Sequence, residues 1–374
     1  MNSIKRQIPL VNLEPEISFL REEYQAAFDR VLKSGRFILG PEVEAFEHEV
    51  ASYLGAKHVI SVNSGTDALI ISLRSIGIGP GDEVITTPFT FVATAEAICT
   101  VGATPIFADI NPVTFNIDPK LITPAITPRT KAILPVHLFG LACEMDEICG
   151  IAQKNSLAII EDTAQSFGGR YKGRSLGTIG DVGAFSLFPT KNLGAFGDGG
   201  LIATNQDDIA DLARKIRSHG GKDKYRVEML GCNSRLDELQ AAFLRVKLPY
   251  VDEWNEQRRQ IAYQYFETLK DVKEIQLPYF PEHFGHVFHQ FTIRVASQVR
   301  NSIQAGLQKH GISTACYYKT PLHRLPLFAS APDISLLHSD QAAEEVLSLP
   351  MGAGTSSMEV ETVIKALGFM FSNV

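Results

Sequence analysis

Between residues 58 and 205, short runs rich in β-formers alternate with helical stretches, and no other feature limits the fold of this chain as strongly. The runs are His58–Val62, Glu83–Thr87, Pro105–Ile110, Ala132–His137, Leu157–Asp162, Val182–Phe188 and Leu201–Thr204. Strand and helix in turn is the pattern of an α/β sheet. Stretches such as Ala132 to Val136 and Leu157 to Ile160 are apolar on both faces, as strands covered by helices on both sides must be. The expectation is a mostly parallel sheet built from these seven runs and flanked by helices. Gly77 to Asp82 marks a return from helix to strand, and Asp207-Asp208 opens a helix through Ala210, Leu212 and Ile216.

Near Asp237 the pattern changes to a long helical run through Leu239, Ala242, Leu244, Val246 and Leu248, which Pro249 interrupts before it resumes toward Leu269. Beyond Pro278 to Pro281, a strand at Val287 to Val295, a helix near Ser302 to His310 and a last helix from Ser357 to Phe369 suit a small α+β unit. With 374 residues the chain exceeds what one core holds, roughly 250 to 300 residues. We expect a large α/β domain with the N-terminal segment over residues 1–248 and a smaller α+β domain over 249–374.

Charge and cysteine usage narrow the function classes. The formal net charge of -7 gives no general attraction to nucleic acid or to anionic lipid, so any phosphate must be held locally. Lys5 and Arg6 are followed by no apolar run, and no stretch is apolar enough to span a bilayer. The five cysteines, Cys99, Cys143, Cys149, Cys232 and Cys316, lack the close pairs of a zinc or redox motif. No metal is expected, and a reducing cytoplasm is the simplest location.

Three segments carry candidate chemistry. In Ser186 to Gly200 a single lysine, Lys191, follows a buried-looking strand and enters a glycine-rich loop. A desolvated lysine with a lowered pKa can attack a carbonyl to form a Schiff base, although a surface-loop lysine would read the same. Glu161-Asp162-Thr163-Ala164-Gln165 puts an acid at the end of an apolar strand, where ligands of parallel sheets gather. Asp162 there would serve a cationic partner, such as a protonated cofactor ring, or would cap the next helix. Asn63 to Leu69 joins a strand end to a helix start, an anion site or an ordinary cap. Ser186 and Asn233 are further phosphate candidates, and Phe91 is an aromatic for a flat ring or for the core.

In this order, these segments resemble the DegT/DnrJ/StrS family of pyridoxal-phosphate nucleotide-sugar aminotransferases. The resemblance runs from Gly35 to Pro41, through the segments above, to Gly231 to Ala242 and Ser348 to Met351. It implies the fold type I aminotransferase architecture, with Lys191 as the Schiff-base lysine and Asp162 as partner of the pyridine nitrogen. Gln165 would hold the ring hydroxyl, Phe91 would stack on the ring, and Gly65, Thr66 and Ser186 would bind the phosphate. Asn233 would join them from the second subunit of a homodimer with shared active sites. Many relatives have Tyr where this chain has Cys232 and His where it has Phe167, which bears on sugar recognition and not on the cofactor.

The implied reaction moves an amino group, with L-glutamate as the expected donor, onto a keto group of a dTDP- or UDP-linked sugar. The tail Thr314 to Tyr318 with Pro321-Leu322-His323, and His286 to Phe291 before it, resembles members acting on 3-oxo sugars; a 4-keto sugar is the alternative. Arg235, Tyr317, Tyr318 and His323 are the expected substrate residues. Arg235 could instead pair with Asp237, and adjacent tyrosines on a strand would point opposite ways. A non-catalytic regulator that binds the same cofactor or sugar is the competing reading. A dinucleotide oxidoreductase is disfavoured, because Asn63-Ser64-Gly65-Thr66 is not the glycine fingerprint that it requires.

Overall fold

The computed structural model describes residues 7–223, 225–280, 284–328 and 336–371; Lys5, Arg6 and Pro281 lie outside them. Seven strands form the central sheet: β1 His58–Val62, β2 Glu83–Thr86, β3 Thr104–Phe107, β4 Thr130–Leu134, β5 Ala158–Asp162, β6 Val182–Ser186 and β7 Gly200–Thr204. Their order across the sheet is β1-β7-β6-β5-β4-β2-β3. Pairing is parallel from β3 through β6, while β7 runs antiparallel to both its neighbours. Every one of the seven expected runs contributes a strand. Four runs stop short: at Thr86, at Phe107, at Leu134 and at Ser186.

Both faces of the sheet are buried, and this is why the strands read as continuous apolar runs. One face packs Ile60, Val62, Ile160, Val182 and Ile202 against the helices Gly65–Ser75 and Asp207–Arg217. Elsewhere Ile85, Ile133 and Ile159 meet Ile148 and Ala152 of the helix Met145–Asn155. The sequence patterning did not announce helices Arg21–Ser34 and Pro41–Leu54; the second packs Val43, Phe46 and Val50 with Ala241 and Leu244 of the helix Glu238–Lys247, and the first sets Ala27 and Val31 against Ala242 of that same helix. The Glu238 carboxylate, fully buried, accepts the N–H groups of Gly40, Glu42 and Val43 at 2.7 to 3.0 Å. It thereby satisfies the open end of the 41–54 helix from almost two hundred residues away.

The terminal unit holds β8 Ile275–Gln276, β9 Phe291–Val295 and β10 Val346–Leu349, paired antiparallel with β9 in the middle. Helices Val251–Leu269, Ser297–Lys309 and Ser357–Phe371 cover it. Pro249 falls in a short 3₁₀ turn between the helices ending at Lys247 and starting at Val251, as its missing N–H dictates. The N-terminal segment joins this unit: Ile8 pairs with Ile312, and Met351 N–H donates to the Leu10 carbonyl. The strand expected from Val287 begins only at Phe291. Phe288 takes φ of 40°, outside the strand region, and Val287 and Gln290 donate instead to the carbonyls of Gly140 and Phe139. The helix expected near Ser302 starts earlier, at Ser297. No helix among the described residues is long and apolar enough to cross a membrane.

Candidate active site

The carboxyl ends of β1, β5 and β6 open on one edge of the sheet, and the chain turns there into the segments singled out above. After β1, Ser64 caps the helix Gly65–Ser75 by accepting the Asp67 N–H at 3.1 Å. The N–H groups of Gly65 and Thr66 belong to the first turn, where they have no partner within the helix. A Cβ on Gly65 would lie 2.7 Å from the Ser186 Cβ, so only glycine lets the helix start approach the end of β6 this closely. Gly200 plays the matching part at the head of β7, where a Cβ would meet the Ser64 carbonyl at 2.2 Å. Backbone N–H groups, a helix N-terminus and the Ser186 hydroxyl therefore share one small cradle suited to a phosphate.

Asp162 ends β5, the middle strand of the sheet, and is buried. No helix follows it, so it is not a helix cap; its Oδ1 accepts the Ala164 N–H at 3.1 Å and its Oδ2 the Thr94 hydroxyl at 2.9 Å. Burial pushes its carboxyl upward, against the Ala164 N–H, the Thr94 hydroxyl and the charges of Lys191 and His137. Thr94 in turn lies 3.1 Å from Thr90. The sequence reading took Phe91 from this segment and passed over Thr94, although a hydroxyl at the start of the Ala93–Thr100 helix was the available signal.

Lys191 lies in the loop between β6 and β7. Its Nζ makes no hydrogen bond or ion pair among the described residues, and burial lowers its pKa to about 8 against the opposing pull of Asp162. Lysine and aspartate thus act on each other across the site. Phe91 is 58% exposed and meets the Tyr318 ring at 6.5 Å, leaving a face for a flat ligand. Gln165 is buried, with its carbonyl taking the Phe139 N–H at 2.8 Å and its amide donating to the Tyr318 hydroxyl at 2.9 Å.

The remaining candidates sit further out. Tyr317 and Tyr318 occupy a turn and not a strand, so the alternation of a strand does not apply to them. Asn233 is exposed and accepts from Arg235 Nε at 2.8 Å, while Ser234 beside it bonds Asn63. Arg235 thus pairs with Asn233 and not with Asp237. His323 lies against Asp340 at 3.1 Å, and the same aspartate binds Arg324, so the structure ties His323 to the helix Leu337–Glu345. Behind β5, His137 and Glu161 form a buried pair at 3.0 Å; Glu161 also takes the N–H groups of Gly177, Ile179 and Gly180. Among the described residues, no group of three or more His, Cys, Asp or Glu side chains is placed to hold a metal ion.

Comparison with known proteins follows the same line. The model of the DegT/DnrJ/EryC1/StrS aminotransferase family matches residues 19–368. A protein of Geobacillus stearothermophilus named pleiotropic regulatory protein is 48% identical, over 92% of this chain and 93% of that one. A UDP-N-acetyl-3-dehydro-alpha-D-glucosamine 3-aminotransferase of Acidithiobacillus ferrooxidans is 44% identical, over 92% of each. The crystal structure of S. venezuelae DesV in complex with a ketimine intermediate superposes with a TM-score of 0.95 at 42% identity, over 98% of this chain and 99% of that one.

Proposed function

Starting from a chain that belongs to the DegT/DnrJ/EryC1/StrS aminotransferase family, whose members depend on pyridoxal phosphate, we propose that it moves the amino group of L-glutamate to the 3-keto carbon of a dTDP- or UDP-linked sugar. The observation that carries the reading is the mutual influence of Lys191 and Asp162: an amine held near pH 8 beside a buried carboxylate at the ligand edge of the sheet. The Gly65–Ser186 cradle supports it, because it fits a phosphate and would be filled by a single methyl group.

Pyridoxal phosphate, when bound, supplies an aldehyde for amino groups and a ring that draws electrons from the bond to be broken. In this reading the N–H groups of Gly65 and Thr66 and the Ser186 hydroxyl hold the phosphate, and Asn233 joins them from the second subunit of a homodimer. Asp162 keeps a proton on the ring nitrogen, and Gln165 orients the ring hydroxyl. Phe91 covers one ring face. Lys191 Nζ would hold the cofactor at its aldehyde and, once freed by the donor amine, would move a proton from the substrate carbon to its new position, with the reverse transfer in the second half-reaction. Arg235, Tyr317, Tyr318 and His323 line the sugar side, with the Arg235 guanidinium suited to a carboxylate or diphosphate. The 3-keto choice is supported by the name of the Acidithiobacillus relative and by the segments around His286–Phe291 and Tyr317–His323. The biosynthesis served is that of an amino sugar, in the cytoplasm.

The name of the Geobacillus relative favours a second reading, a regulator that binds the same ligands without turnover. Incubation with glutamate and a panel of dTDP- and UDP-linked 3-keto and 4-keto sugars separates the two. Amino-sugar product at catalytic yield supports the transaminase. Tight binding with no product across the panel supports the regulator. Borohydride reduction of the holoprotein followed by peptide mapping is expected to place the cofactor on Lys191; a label on another lysine removes the assignment.

A further inference from the structure

The helix Ala93–Thr100 holds two threonines, and they use their hydroxyls differently. Thr100 donates to the Glu96 carbonyl four residues back at 2.8 Å, the ordinary habit of a helical threonine. Thr94 instead reaches out of its helix and donates to Asp162 Oδ2 at 2.9 Å. Thr94 and Thr90 are both buried, and their hydroxyl oxygens lie 3.1 Å apart. A hydroxyl has one proton, and a carboxylate only accepts. With the Thr94 proton committed to Asp162, Thr90 must be the donor in its contact with Thr94. Two hydroxyls therefore stand in line, each polarised toward the aspartate.

The rest of Asp162 is held as firmly. Its N–H donates to the Pro135 carbonyl at 2.9 Å, and its carbonyl accepts the His137 N–H at 3.0 Å. Oδ1 takes the Ala164 N–H at 3.1 Å. One donor on each carboxylate oxygen fixes the plane of the group, and of its roughly four acceptor positions the others stay open. Hydrogen bonds to the charged form also work against the burial that disfavours it, and Thr94 shares that part with Ala164. The Thr94 N–H donates to the Phe91 carbonyl at 3.2 Å, so a single turn of chain sets both the exposed Phe91 ring and the hydroxyl on Asp162.

We propose that Thr94 is a positioning residue for Asp162: its hydroxyl, backed by that of Thr90, holds the carboxylate in one plane as a fixed acceptor for the cationic ring of the cofactor. The inference rests on the assignment of Asp162 above. In this role Thr94 touches neither cofactor nor substrate and transfers no proton. It bears on turnover only through the aspartate.

Three substitutions take the line apart. Thr94→Val keeps the shape and removes the donor, Thr94→Ser keeps the donor, and Thr90→Val removes only the second hydroxyl. The first readout is the ionisation of Asp162 in cofactor-stripped protein, followed by carbon-13 NMR of labelled aspartate, with Asp162→Asn to assign the signal. The groups whose charge bears on Asp162 are Lys191 in the β6–β7 loop and His137 after β4, and Tyr318 and Cys143 are the titratable neighbours that feel it in return. All four are kept in every variant. The second readout is the nitrogen-15 shift of ring-labelled pyridoxal phosphate, which reports the proton on the ring nitrogen, alongside kcat and KM. Thr94→Val should move the Asp162 midpoint upward, weaken protonation of the ring nitrogen and lower kcat about tenfold with KM little changed, one hydrogen bond's worth. Thr94→Ser should stay near the parent, and Thr90→Val should move the same way by less. An unmoved Asp162 midpoint in Thr94→Val, or a Thr94→Ser protein as impaired as Thr94→Val, overturns the proposal. Should Thr94→Val fail to fold, Thr90→Val decides: an upward shift of the Asp162 midpoint supports the line of hydroxyls, and none overturns it. A raised midpoint with ring nitrogen and turnover unchanged would instead remove the assignment of Asp162, and the proposal with it.

Discussion

Gly65→Ala tests the phosphate cradle most directly, because the structure gives the size of the insult. The new methyl would lie 2.7 Å from the Ser186 Cβ and 3.1 Å from both its Cα and its Oγ, against an ordinary contact near 3.5 to 4 Å. Ser186 is the last residue of β6 and Gly65 the first of its helix, so neither can swing away as a flexible side chain would. The helix start must retreat from the strand by several tenths of an ångström. Overpacking of this kind costs about 1 to 3 kcal/mol. If that displacement falls on the phosphate donors, cofactor affinity drops by roughly 5- to 150-fold, at a factor of ten per 1.4 kcal/mol. The assay is a titration of stripped protein with pyridoxal phosphate, followed by absorbance, with the thermal midpoint of the stripped protein measured beside it. A second variant, Gly65→Ala with Ser186→Gly, removes the clashing Cβ; it should restore the midpoint and only part of the affinity, since the hydroxyl is gone. Unchanged affinity in Gly65→Ala would refute the cradle. A fall in stability alone would make this glycine a matter of packing.

Lys191 in the stripped protein should acylate with a midpoint near pH 8, well before exposed lysines; because burial lowers its pKa in the fold, the unfolded chain binds the extra proton and stability contributed by this group rises from about pH 8 toward 10.5. A midpoint at the exposed-lysine value would contradict the burial. Asp162→Asn removes the one charge that opposes this shift, so the midpoint should fall further, and turnover should drop far more than cofactor affinity; equal turnover would leave the aspartate a structural role only. Tyr318→Phe deletes the hydroxyl that accepts from Gln165, and use of the keto sugar should weaken by about tenfold while the glutamate half-reaction is kept. Mixing Lys191→Ala chains with chains carrying an inactive Asn233 variant should restore activity if the sites are shared, and verified subunit exchange without recovery would place both groups in one chain's site.

The sheet was legible because its strands are buried on both faces. Ala132 to Leu134 and Ala158 to Ile160 carry their signal in residue type alone, Asp162 stands out at the end of the second, and Lys191 stands out in the glycine-rich loop after Val182–Ser186. The helices over residues 21–34 and 41–54 escaped, although Gly35 and Gly55, both in the left-handed region, mark their ends. A polar layer at the lysine loop was beyond reach for a different reason. Asn192, Asn255 and His289 are separated by 63 and 97 positions from the partners that give them meaning, and an asparagine's orientation is decided by a carbonyl the sequence does not locate. Phe288, one residue before His289, shows the same limit: the run Val287 to Val295 reads as strand throughout, and only the pairing with Phe139 and Gly140 interrupts it.

The antiparallel setting of β7 beside β6 has a further result. β1 to β4 hand the chain on through helices and β5 through turns and two short strands, but here it leaves and re-enters the sheet at one edge, so the lysine rides on a loop whose two ends are closed by the Leu187 N–H to the Gly199 carbonyl and the Ala195 N–H to the Leu187 carbonyl. Both stubs of a loop severed near Pro189 would remain locked in a seven-stranded sheet. A protease nick there would leave a molecule that melts like the intact one and cannot hold its lysine in place. The polypeptide's endurance and its chemistry are thus secured by separate parts of one hairpin, and the second can be lost without the first.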